Sequence, residues 1–109
     1  MPEDPTIGEG LRSLTDVDKT IHEPARLMIL ANLYAVESAD FLFLRRQTGL
    51  TAGNLSSHLS KLESAGYVSV NKEFLGRKPH TILRLTERGR RAFDDYRNRL
   101  RDIVEILPG

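Results

Sequence analysis

Apolar positions in this chain recur at helical spacing as far as Gly66, change to alternation, and return to helical spacing near the C-terminus. Leu11, Leu14, Val17 and Ile21 predict a first helix with its apolar side turned inward. Glu23-Pro24 opens a second helix, since proline at the first helical position loses nothing by lacking an N–H. Leu27, Met28, Ile29, Leu30, Leu33 and Val36 make that helix apolar over much of its surface, so it should be the central core element. Ser38-Ala39-Asp40 resets the chain, and Asp40 caps a short third helix through Phe41, Leu44 and Arg45 to Thr48. Gly49 supplies a left-handed corner and Thr51 caps a fourth helix over 52–65, in which Leu55, Leu59 and Leu62 form a narrow stripe. After Gly66, Tyr67–Asn71 and His80–Leu85 read as two strands joined by a hairpin loop, Glu73 to Pro79. Thr86 caps a last helix running to about Leu107. The order is four helices, a hairpin and a helix: mainly α with a small β-hairpin, an α+β class.

Length and composition narrow the choice. A chain of 109 residues predicts one domain with a modest core, often completed by dimerisation. Residues 1–9, acidic and rich in Pro and Gly, are expected to be a flexible N-terminus, and 10–109 the domain. The absence of cysteine excludes disulfides and thiolate metal sites. No apolar run approaches the ~20 residues of a membrane span, and the N-terminus is unlike a secretory signal. The expectation is a cytoplasmic protein without membrane contact. No nucleotide-binding glycine motif, nucleophile motif or metal-ligand cluster is present, so the chain reads as a non-enzyme with no cofactor and no metal.

Net charge becomes informative once divided along the chain. From Arg45 to Arg91 there are ten Lys/Arg against three Asp/Glu, a balance of +7, while the remainder carries −6. The positive charge therefore surrounds the fourth helix. The outward face of that helix is Ala52, Gly53, Ser56, Ser57, Ser60 and Lys61, flanked by Asn54 and His58, with no carboxylate before Glu63. A solvated face ordinarily mixes Glu and Lys; this one is shaped for close approach and hydrogen bonding, as in a DNA major groove. Asn54 suits bidentate bonding to adenine, and Ser56, Ser57 and Lys61 suit bases or phosphates. His58 has two readings, packing beside the leucine stripe or contact with a phosphate. Arg45 and Arg46, with Gln47, end the third helix, where cations complement the helix dipole or meet the DNA backbone. Lys72, Arg77 and Lys78, with His80 and Thr81 behind them, project from a hairpin whose Gly-Arg-Lys-Pro tip suits a minor groove or phosphates.

The segments "IHEPARLMILANL", "TGLTAGNLSSHLSKLESAGYVSV" and "GRKPHTILRLTERGRRAF", with the long last helix, resemble the winged helix-turn-helix transcriptional regulators of the MarR/ArsR type over roughly residues 21–96. The resemblance implies a winged helix domain, a recognition helix in the major groove, a wing on the flanking minor groove, and a regulator of transcription, a repressor by expectation. It also suggests phosphate contact for Arg26, against the alternative of an ion pair with Glu23.

Phe93, Tyr96, Leu100, Ile103 and Leu107 are spaced as a coiled-coil seam. The expectation is a C-terminal dimerisation helix over about 87–107, pairing with its copy to make a homodimer on a palindromic site. The alternative is that it folds back on its own domain. A small-molecule effector is a further candidate partner, in a cleft lined by Leu11, Leu14, Tyr34 and Phe93.

Overall fold

A computed structural model describes residues 5–109. Its elements are α1 (Pro5–Arg12), a 3-10 turn (Ser13–Asp16), α2 (Pro24–Val36), β1 (Ser38–Asp40), α3 (Phe41–Thr48), α4 (Ala52–Ser64), β2 (Val68–Leu75), β3 (Lys78–Leu85) and α5 (Glu87–Glu105). The core lies where α2, α3, α4 and the sheet meet. Ile29, Leu30 and Leu33 of α2, Leu44 of α3, Leu55 and Leu62 of α4 and Leu83 of β3 are completely buried there. Truncating one of these leucines to alanine costs about 2–5 kcal/mol in a well-packed core.

Caps set most boundaries. Glu23 accepts the N–H of Arg26, Asp40 that of Phe43, Thr51 that of Asn54, and Thr86 that of Gly89, each satisfying a first-turn donor with no partner inside its helix. Gly49 closes α3 with a φ of 71°, and Gly66 carries the exit from α4 with a φ of 80°.

Two expectations, the first helix and the hairpin length, are corrected. The first helix does not run from Leu11 to Ile21. Helix occupies Pro5–Arg12, a 3-10 turn follows, and the chain is non-helical from Val17 to Glu23. Asp18 explains the break: its carboxylate accepts the N–H groups of Thr20 and Ile21 and the hydroxyl of Tyr67. Within the stretch 1–9, residues 5–9 are helical, and residues 1–4 lie outside the described residues. The hairpin is longer than the alternation suggested. The strands pair from Val68↔Leu85 to Leu75↔Lys78 around a turn at Gly76-Arg77, with Gly76 at φ 67°. A short third strand, unforeseen, pairs Ser38–Asp40 with Ile82–Arg84, giving the antiparallel order β1-β3-β2.

Candidate nucleic-acid interface

The turn at Gly49 and the Thr51 cap start α4 beside the C-terminal end of α3. With Leu55, Leu59 and Leu62 buried, the helical period forces the remaining positions outward: Asn54, Ser56, Ser57, Ser60 and Lys61 are all exposed. Among the described residues none of these five side chains is engaged by another protein group. Exposed Arg45 and Arg46, with Leu42, Gly49, Leu50 and Thr51, line a shallow groove of about 450 Å³ at the same turn.

His58 faces elsewhere. Its Nδ1 lies 3.3 Å from an Arg26 guanidinium nitrogen and 3.8 Å from Glu23 Oε2, and its side chain is only 21% exposed. Arg26 is likewise turned inward, donating to the carbonyls of Thr20 (2.5 Å) and Lys19 (3.5 Å), with Glu23 4.0 Å away. Burial raises the pKa of Glu23, but the N–H groups of Arg26 and Ala25 and the charges of His58 and Arg26 outweigh it and hold the carboxyl below its ordinary value. His58 and Arg26 therefore tie α4 to the loop before α2. That loop brings Lys19 alongside Ser60, Lys61 and Ser64 around an open groove of about 550 Å³. Nothing in the sequence signalled Lys19, because its neighbours across the groove lie some forty residues away in the chain.

The same loop is clasped from two sides. Tyr67 donates to Asp18, and burial with that carboxylate pushes the phenol up to about 12. His22 Nδ1 lies 2.7 Å from the Tyr96 hydroxyl, whose pKa burial also raises.

Lys72, Arg77 and Lys78 are exposed along the hairpin, while His80 and Thr81 are half-buried. Arg84 holds Glu73 at 2.9 Å, so the one carboxylate of the hairpin is neutralised and its outward field stays positive. Asn54, Ser56, Ser57, Lys61, Arg45 and Arg46 are thus exposed on the recognition helix and its flanking turn, with Lys72, Arg77 and Lys78 on the wing; His58 is withdrawn.

The seam assigned to dimerisation is redistributed. Phe93, Tyr96 and Ile103 are 3–5% exposed within the single chain. Phe93 packs on Tyr34, with ring centroids 5.4 Å apart, and Tyr96 on His22. These three belong to the chain's own core, not to an exposed seam. Leu100 is half-buried and Leu107 exposed. The outward apolar residues at this end are Val104 and Leu107. The effector cleft also comes apart. Gly10 near the end of α1 lies against Ile106, placing Leu11 near the far end of α5, whereas Tyr34 touches Phe93 near its start, ~20 Å away along the helix.

No helix among the described residues is long and apolar enough to cross a membrane. A family model described as a winged helix DNA-binding domain matches residues 25–104. An uncharacterized protein of Methanocaldococcus jannaschii is 40% identical over 89 residues, 82% of this chain and 90% of its own length. A transcriptional regulator homologue of Pyrococcus horikoshii superposes with a TM-score of 0.81 at 27% identity, covering 89% of this chain and 95% of that one. The transcriptional repressor CouR, solved on a 23-mer DNA duplex, shares the fold at a TM-score of 0.69 and 23% identity, covering 89% of this chain and 66% of its own. The winged helix fold of these regulators is thus the one this chain adopts.

Proposed function

The chain belongs to the winged helix DNA-binding domain family, and from that premise we propose that it is a sequence-specific regulator binding duplex DNA as a homodimer on a palindromic site. The observation that carries this reading is the outward face of α4: Asn54, Ser56, Ser57, Ser60 and Lys61, exposed and unengaged, beside a wing bearing Lys72, Arg77 and Lys78. Small hydroxyl and amide groups let the helix approach base edges in the major groove, and the cations offset the phosphates on either side.

Support for a dimer comes from the α2–α5 side. Val104 and Leu107 are 57% and 51% exposed, and Leu27, Tyr96, Leu100 and Val104 line an open groove of about 470 Å³. A second copy covering that groove by a two-fold operation would set two recognition helices about one DNA turn apart, ~34 Å.

The test is selection of bound duplexes from a random library at ~150 mM salt, with the mass of the complex measured on the winning sequence. Enrichment of a palindrome carrying two chains is expected. Failure to bind any duplex would overturn the reading in favour of a winged helix that docks on other proteins.

A further inference from the structure

Phe74 and Leu75 are 71% and 64% exposed, more than any other large apolar side chain among the described residues. They sit on β2, which the order β1-β3-β2 makes an edge strand, one step before the turn at Gly76-Arg77. A bare apolar pair on an edge strand invites aggregation, and proteins ordinarily blunt such edges. Here the pair is flanked by Lys72, Glu73, Arg77 and Lys78, and Glu73 is bound to Arg84. Two greasy side chains are thus carried within a cationic surround.

The strand register separates them. Val68, Val70, Lys72 and Phe74 point to one face of the hairpin, opposite Leu85, Leu83, Thr81 and Pro79. Val68 and Leu83 are buried in the core, so this is the face on which the helices pack. Phe74 lies about 13 Å further along the same face than Val70, beyond the core but on the side of the recognition helix. Leu75 points the other way, with Asn71, Glu73 and Lys78.

Building on the DNA-binding reading, we infer that Phe74 is a wedge that enters the minor groove flanking the recognition helix, presses against a base step and bends the duplex there. A wing tip that pairs an aromatic with Lys72, Arg77 and Lys78 matches the chemistry of that groove. Its rims are phosphates, its floor is the edge of stacked bases, and apolar side chains inserted between steps partly unstack and kink it. Pyrimidine–purine steps yield most cheaply. The wing therefore selects a deformable flanking step without reading any base by hydrogen bonding, and adds specificity outside the sequence that α4 contacts.

The experiment uses the full chain and a duplex it selects, labelled at both ends for distance measurement. The flanking step is varied between TA and AA. Wild type, Phe74→Ala, Leu75→Ala and Lys72→Ala are compared over a range of salt, with dimer mass and unfolding midpoint checked for each. Wild type is expected to shorten the end-to-end distance and to prefer the TA flank. Phe74→Ala should bind the TA duplex about tenfold more weakly, lose the shortening and the flank preference, and keep the salt slope. Leu75→Ala should behave as wild type, and Lys72→Ala should lower the salt slope while still bending the DNA. Unchanged bending and flank preference in Phe74→Ala would overturn the inference while leaving the DNA-binding reading intact. So would equal losses in Leu75→Ala, or a loss of dimer mass in Phe74→Ala. A wild-type chain that binds no duplex would overturn both.

Discussion

α4 and α5 each bury one apolar stripe, yet their outward faces follow opposite plans. In α5, six Arg alternate with five Asp or Glu, and they pair along the helix: Arg91 with Glu87, Arg97 with Asp94 and Arg99 with Asp95, at 3.0–4.0 Å. Arg90 and Arg97 lie over the ring of Tyr34, 4.6 and 5.3 Å from its centroid. α4 carries one Lys and one Glu, and otherwise presents hydroxyls and an amide that no neighbour among the described residues engages. Such groups gain little from water that a ligand cannot also supply, and they leave the backbone approachable. The same apolar period therefore supports two outcomes, and the fate of the polar positions distinguishes a face paired within itself from one left open to a ligand.

The strongest challenge to the comparison is to separate the two regions. A Cβ on Gly89 would meet the carbonyl oxygen of Tyr67 at 2.1 Å, where the first turn of α5 rests on the chain leaving α4. Because the obstacle is backbone, Gly89→Ala is expected to cost about 3 kcal/mol, read as a lower denaturant midpoint. Removal of one reading group comes next. Asn54→Ala should surrender ~1–3 kcal/mol of base discrimination on the selected duplex while changing folding stability by less than ~0.5 kcal/mol.

The Glu23 cap gives a smaller, pH-dependent effect. Its folded-state pKa lies below the ordinary carboxyl value, so its stabilisation is present above that value and fades as pH falls through the folded pKa. Glu23→Ala should cost about 1 kcal/mol near neutrality, and the difference from wild type should shrink in urea titrations at progressively lower pH. Least of all, Asp95→Asn removes one exposed pair of α5. It should shift stability by no more than ~0.5 kcal/mol and leave DNA binding unchanged. A large loss of binding there would show that the paired face also contacts the ligand.

What the sequence revealed and what it concealed follow a physical division. The caps at Asp40, Thr51 and Thr86 were legible because each is one side chain acting on a backbone N–H three residues away. The break after Asp16 was not, because Asp18 is held by Tyr67, 49 residues distant. β1 is three residues long, too short to alternate, and depends on β3 for its existence. The hairpin was underestimated because Phe74 and Leu75, adjacent and both apolar, conceal the period of two. Phe93, Tyr96 and Ile103 carry the coiled-coil spacing and are buried within the single chain. A helical period says that a face is covered and is silent on whether its own chain or another covers it. Among the reading residues, the exposure of Asn54, Ser56, Ser57 and Lys61 followed from the leucine stripe. The inward turn of His58 required Arg26 and Glu23, which belong to a different helix end.

The junction at Thr86 has a mechanical consequence. Thr86 donates its N–H to the Tyr67 carbonyl at 3.0 Å and its hydroxyl to the Gly66 carbonyl at 2.6 Å, while Gly89 lets the first turn sit flush on Tyr67. α5 is thereby pinned to the exit of the recognition helix, and its 19 residues form a rod of ~28 Å projecting from that point. A tilt of ~6° about the pin moves the far end by ~3 Å over that length. Whatever grips the far end of the rod, near Val104 and Leu107, holds a long handle on the angle at which the reading surface meets its target.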